Sequence, residues 1–250
     1  MAIDIRVNFC QFDALGRQFG ADGVLKSMQK YNIETAVLLS SVAVNCDFAL
    51  GNKELFEVVK SDDRLFGYLI VNPNYPEESI RMMRSAMNSR KFPAAAFFQG
   101  ATRPYPNVDD YREILNAYRR YTKPVYVETT HAEAVDAAVQ MAREFPTIKF
   151  ILGSMGGGDW KRAMNYNKQL NIFLETSGSF DVEKIETAAA SLGAHRVLFG
   201  SNLPYADPAS ILALIQSSSV SQDAMSKILG ENAKRLFGLD RPATVEGEET

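Results

Sequence analysis

The 250 residues are 46% hydrophobic and 23% charged, the balance of an ordinary globular chain rather than a disordered or fibrous one. A net charge of -3 with scattered Lys and Arg excludes the basic face that nucleic acid requires. Without an apolar run of roughly 20 residues the chain has no membrane span. Its first residues lack the basic-then-apolar plan of a secretory signal, so a soluble, cytoplasmic protein is expected. The two cysteines, Cys10 and Cys46, have no CxxC spacing and are expected as reduced thiols.

In chain order, "IDIRVNF" (Ile3–Phe9) alternates apolar residues with Asp4, Arg6 and Asn8. This is the pattern of a strand in which the acid, guanidinium and amide share one face. An amphipathic helix near Ala21–Tyr31 precedes a strand at Thr35–Ser40, and a helix begins near Asn52. "RLFGYLIVNP" (Arg64–Pro73) reads as the third strand. The helix Pro76–Met87 then carries proline and glutamates in its first turn, where the dipole favours them. The alternation continues with a strand at Ala94–Gln99, a helix at Asp109–Tyr121, a strand at Pro124–Thr129 and a helix at Ala132–Phe145. It ends with the strand Lys149–Ser154, a helix near Asp159, the strand Asn171–Gly178, the helix Val182–Leu192, the strand Arg196–Asn202 and two helices, Pro208–Ser217 and Asp223–Phe237.

Eight strand–helix units in this length predict an α/β fold, a single (β/α)8 TIM barrel over residues 1–240. An open doubly wound sheet is the alternative that the same alternation allows. The acidic "RPATVEGEET" at 241–250 has no periodicity and is expected to be disordered. In a barrel the chemistry sits where strands end, beneath the βα loops. That rule selects Arg6, Asn8, Cys10, Ser40, Cys46, Asn72, Gln99, Arg103, Tyr105, Glu128, Thr130 and His131. Further along it selects Ser154, Asp159, Glu175, Ser177, Ser201, Asn202 and Tyr205.

Several of these segments occur in an order that resembles a known family. "IDIRVNF", Gly51–Asn52 with "DRLFGYLIVNP", "KPVYVET", "FILGSMGG", "RVLFGSNLP" and the closing "ILGENAKRLFGL" are similar to the amidohydrolase-related group of the amidohydrolase superfamily. That group contains the aminocarboxymuconate-semialdehyde decarboxylase-like enzymes. The resemblance implies a TIM barrel with His-x-His on strand 1, a histidine ending strands 5 and 6, and an aspartate ending strand 8, together holding one or two divalent metals. In this chain those positions are Arg6 and Asn8, Glu128, Ser154 and Asn202. A catalytic zinc site draws about three ligands from His, Cys, Asp and Glu, and Arg6 is a permanent cation. No metal and no cofactor are therefore expected.

Arg6 and Glu128 form the leading pair of candidates. They are either a salt bridge standing where the metal would be, or a carboxylate clamp beside a general base. Asn8, Ser154 and Asn202 would orient a small anionic ligand. Cys10 is a buried apolar residue or a thiol activated by Arg6. "GSMGGGDW" is a tight turn or an anion cradle, and Arg103 with Tyr105 would reach over the mouth. His131 reads as part of a helix entry capped by Thr129 or Thr130, and His195 lies at the structural face. Two functions fit this set: a metal-independent hydrolase or lyase, or a catalytically silent pseudoenzyme that senses a ligand or serves a partner subunit. A homo-oligomer is an expectation from the resemblance alone.

Overall fold

In the computed structural model, which describes residues 2–10 and 18–239, eight parallel strands follow one another around a single sheet in the order β1 to β8. They are β1 (Ala2–Phe9), β2 (Ile33–Ser40), β3 (Leu65–Ile70), β4 (Ala94–Phe97), β5 (Val125–Val127), β6 (Phe150–Leu152), β7 (Ile172–Glu175) and β8 (Val197–Leu198). The last strand is shorter than its apolar run, because beyond Leu198 its backbone bonds turn to β1. Ile5 N–H donates to Phe199, Asn202 N–H to Arg6 and Asn8 N–H to Leu203, and these bonds close the barrel. The acidic segment 241–250 lies outside the described residues.

The helices wrap the outside: α1 (Ala21–Tyr31), α2 (Ser41–Asn45), α3 (Phe48–Lys60), α4 (Pro76–Ala86), α5 (Val108–Tyr118) and α6 (Ala132–Glu144). They continue as α7 (Trp160–Met164), α8 (Val182–Ala188), α9 (Pro208–Ser217), α10 (Gln222–Ser226) and α11 (Asn232–Phe237). None of these is long and apolar enough to cross a membrane. The third helix starts earlier than its apolar stripe suggests because Asp47 accepts the N–H groups of Ala49 and Leu50, a strong start signal. Asn52 on α3 clamps the sheet by donating to Ile70 O at 2.7 Å and accepting from Ile70 N–H at 3.0 Å.

Strand alternation sorts the core into two layers. Val125, Val127, Phe150, Leu152, Ile172 and Leu174 pack outward beneath the helices, whereas Tyr68, Ala94, Ala96, Tyr126, Ile151 and Leu198 fill the barrel. The first strand departs from this alternation. Asp4 pairs with Ala36 but Val7 pairs with Leu38, so β1 takes one extra residue between them, a β-bulge. Ile3 and Ile5 join the inner layer before the bulge, and Val7 and Phe9 join the outer layer after it. Asp4, Arg6 and Asn8 therefore do not share one face. The bulge reverses the alternation, which turns Arg6 and Asn8 inward and leaves Asp4 on the other side of the strand.

Asp4 holds the bulge in place. Its Oδ1 accepts the Arg6 N–H at 3.1 Å and the Ser201 N–H at 2.9 Å, and its Oδ2 accepts the Ser201 hydroxyl. Complete burial pushes its carboxyl up from 3.8 to about 7, against these three hydrogen bonds and with a push in the same direction from Glu175. The folded state therefore binds a proton that the unfolded chain releases near pH 4, and this contribution to stability is lost as pH rises toward 7. The Asp4→Asn variant should show a flatter fall in urea-unfolding free energy between pH 4 and 7, by on the order of a few kcal/mol. An unchanged slope would refute the assignment. Asn52→Leu, which strands two backbone groups of Ile70, should cost about 2–4 kcal/mol in the same assay.

Candidate active site

Arg6 lies inside the barrel with 8% exposure, and its neighbours are arranged around that buried charge. Nη1 donates to Glu128 Oε2 at 2.7 Å and, closer still, to the Tyr126 hydroxyl. Nε lies 3.4 Å from Asn202 Oδ1. The guanidinium carbon sits 5.2 Å from the centre of the Phe98 ring and 5.1 Å from that of Tyr126, so the cation also has two aromatic faces. Burial opposes the charge, but Tyr126, Glu128 and Glu175 outweigh it and hold the Arg6 pKa above its usual value. The sequence-selected pair Arg6 and Glu128 is thus brought into direct contact. Asn8 joins them through its Nδ2, which donates to Asn202 Oδ1 at 2.8 Å and to Leu203 O at 3.1 Å. Asn202 meets both from a left-handed backbone, φ 63°.

Behind this group stands a carboxyl that strand-end position alone marked without singling out. Glu175, at the end of β7, is fully buried. It accepts the Ser177 N–H, the Ser177 hydroxyl at 2.8 Å and the Ser154 N–H at 3.2 Å. Burial raises its pKa, while Arg6 and the Ser177 bonds pull it back. Tyr126 OH lies 3.4 Å from Glu175 Oε2 and 3.4 Å from Glu128 Oε2. Two glycines leave room for these groups. A Cβ on Gly153 would lie 2.1 Å from the Tyr126 hydroxyl, and one on Gly200 would lie 2.0 Å from Glu175 Oε1. A side chain at either position would overlap the polar layer.

Ser154 enters through the turn that "GSMGGGDW" forms. Ser154, Met155, Gly156 and Gly157 all have positive φ, a run that strains the two non-glycine residues. Lys184 of α8 steadies the turn from behind, its Nζ donating to Ser154 O at 2.8 Å and to Gly157 O at 3.3 Å. Burial lowers its pKa to about 8, against the pull of Glu175. The helical period of α8 marked Lys184 only as one position on a helix face. Its role comes from a loop thirty residues away in sequence.

The other sequence candidates lie farther out. Arg103 is exposed and donates to Tyr105 OH at 3.1 Å, and the Tyr105 ring meets His131 edge-on with centroids 5.3 Å apart. Cys10 is buried just past β1, its backbone paired with that of Phe19. The entry to α6 differs from the sequence expectation. His131, not Thr129 or Thr130, occupies the cap position with an extended backbone, and Asp159 from the neighbouring loop accepts the Ala132 N–H at 3.1 Å. Thr129 instead turns inward to donate to Gly153 O at 2.7 Å. His195 precedes β8, and partial burial and nearby Arg196 lower its pKa. Among the described residues no three His, Cys, Asp or Glu side chains converge as a metal site.

Comparison with known proteins places this geometry in context. The chain is 25% identical to the gamma-resorcylate decarboxylase of Rhodococcus jostii (strain RHA1), over 87% of each protein. It is 24% identical to that of Rhizobium sp. (strain MTP-10005), over 88% of this chain and 87% of the relative. Among solved structures, a 2,6-dihydroxybenzoate decarboxylase complexed with 2,6-dihydroxybenzoate superposes with TM-score 0.78 at 20% identity, covering 96% of this chain and 99% of its own. A dihydroxybenzoic acid decarboxylase from Polaromonas sp. JS666, with bound manganese and 2-nitroresorcinol, gives 0.81 at 19% identity over 98% and 99%. At these identities the structural likeness establishes the fold. The sequence profile of the amidohydrolase family matches residues 16–239, and the chain belongs to that family.

Proposed function

We propose that the barrel mouth binds a small aromatic carboxylate and acts on it as a lyase without a divalent metal, with Arg6 holding the carboxylate and Glu128 carrying the proton. The observation that carries this reading is the Arg6 guanidinium, which lies 5.2 Å from the Phe98 ring centre and 5.1 Å from that of Tyr126 while bonded to Glu128 at 2.7 Å. A cation, an acid and two aromatic faces thus meet at one point. The relatives support the substrate class, since two are gamma-resorcylate decarboxylases and the solved neighbours hold 2,6-dihydroxybenzoate or 2-nitroresorcinol.

The donor set does not fit the manganese of the Polaromonas enzyme. Of Arg6, Asn8, Glu128, Ser154 and Asn202, one is a carboxylate, and its Oε2 is already bonded to a guanidinium that repels a cation. A catalytic zinc site likewise takes about three donors from His, Cys, Asp and Glu, more than this set offers. The chemistry then falls to the side chains themselves. In a decarboxylation, a proton adds to the ring carbon that bears the carboxylate. The bond between them breaks, its electron pair restores the aromatic ring, and carbon dioxide leaves. Arg6 would bind the ligand carboxylate through a charge-assisted fork, and Asn8 and Asn202 would orient ring substituents. Glu128, released from its cation, would take up a proton and deliver it to the ring carbon.

The second reading is a silent ligand-binding barrel. It is favoured by how fully the polar groups already satisfy one another, Arg6 with Glu128, Tyr126 and Asn202, and Asn8 with Asn202. Calorimetric titration with 2,6-dihydroxybenzoate, followed by measurement of carbon dioxide release, separates the two. Arg6→Lys should weaken binding by about tenfold. Glu128→Gln should keep or tighten binding, because the ligand no longer displaces a carboxylate from Arg6, and lower release by about a hundredfold or more. Chelators should change neither. Release that depends on added manganese would overturn the metal-free mechanism, and binding without release would favour the silent barrel.

A further inference from the structure

We propose that Glu175 is the buried proton store of this site, exchanging its proton with Glu128 at the mouth through the hydroxyl of Tyr126. The assignment deepens the lyase reading, and its catalytic use rests on that reading. The Tyr126 hydroxyl stands between the two carboxyls, 3.4 Å from each. Glu175 is fully buried, whereas the side chain of Glu128 keeps 16% exposure. One end of this series is sealed and the other opens toward a ligand. Gly153 and Gly200 reserve the space, since a Cβ on either would overlap Tyr126 or Glu175.

Both protonation states of Glu175 are provided for. Burial favours the neutral acid. The Ser177 N–H, the Ser177 hydroxyl and the Ser154 N–H stand ready to stabilise the carboxylate once its proton has gone. The groups that influence Glu175 are Arg6 on β1, Tyr126 on β5 and Lys184 on α8. Asp4 on β1 and Tyr68 on β3 are coupled to it through their own charges. Burial raises the pKa of Glu175 while Arg6 lowers it, and the Asp4 charge pushes in the direction of burial.

Proton transfer is balanced. Tyr126 gives its hydroxyl proton to the Glu128 carboxylate as its oxygen takes the proton of Glu175. Tyr126 is unchanged, and one carboxyl gains what the other loses. A ligand carboxylate that draws Arg6 away from Glu128 would trigger the step, because Glu128 then loses its counter-ion.

Infrared difference spectroscopy of the full-length protein in heavy water tests this without turnover. Beside the band of Asp4, whose burial also holds a proton near neutral pH, the wild type should show a second protonated-carboxyl stretch that Glu175→Gln removes and Asp4→Asn does not. In Tyr126→Phe the band should persist while its proton–deuteron exchange slows by about tenfold or more. A protonated-carboxyl spectrum that Glu175→Gln leaves unchanged, or exchange as fast in Tyr126→Phe as in wild type, would overturn the proposal. NMR titration of wild-type protein carrying carboxyl-labelled glutamate gives the same reading with no substitution, and a titration in which every glutamate is ionised at neutral pH would also overturn it. A store found in a protein that releases no carbon dioxide would leave this assignment standing while the lyase reading fell.

Discussion

A guanidinium inside a barrel sets the terms for everything around it. Arg6 cannot shed its proton, so its neighbours must supply acceptors or the charge would be intolerable at 8% exposure. Glu128, the Tyr126 oxygen, Asn202 Oδ1 and two aromatic rings meet that demand. The bulge at Asp4 is part of the same solution. Without the extra residue in β1, strict alternation would turn Arg6 to the face where Asp4 and Val7 lie. Asp4 fixes the bulge by accepting the Arg6 N–H and then ties it to β8 through Ser201. The acid that positions the cation thus does so through the backbone rather than by pairing with it.

The barrel was legible in the sequence because it follows from periodicity, and Arg6 and Glu128 were legible as candidates because both stand at strand ends. Eight alternating units imply strand ends gathered at one mouth. What escaped was non-local. "IDIRVNF" alternates without a flaw, so nothing in it announces a bulge whose cause is a hydrogen bond from Ser201, far along the chain. Glu175 was present among the strand-end residues, but one carboxylate in a list says nothing of burial. The available signal was "ETSG", an acid two residues before a serine at a strand end, the spacing at which Ser177 N–H and hydroxyl fold back onto it. The cap of α6 was misplaced for a similar reason. Asp159 supplies it from another loop, and a local motif cannot show a donor or acceptor that arrives through space.

The strained turn after β6 shows how the outer layer serves the inner one. Ser154 and Met155 hold left-handed conformations that non-glycine residues adopt at a cost. The geometry aims the Ser154 N–H at Glu175 and its carbonyl at Lys184. A helix residue thereby reaches the carboxyl through one residue, Ser154. Lys184 and Glu175 thus bracket the same residue, one at its carbonyl and one at its N–H. The loop is better understood as a strut between them than as a cradle for an external anion.

The self-paired character of the site has a consequence for any ligand. An anion entering the mouth finds Arg6 occupied, so binding is an exchange in which the newcomer replaces Glu128 rather than an addition to an open cation. Exchange of one carboxylate for another changes the net interaction with Arg6 little. The difference appears at Glu128, which is left beside Tyr126 without its counter-ion. A proton is the smallest compensation available, and the nearest carboxyl that burial inclines to hold one is Glu175, on the other side of the same hydroxyl. Ligand binding and proton movement are therefore linked by the geometry of a single guanidinium, and a chemical step that consumes a proton at the mouth would draw on that linkage directly.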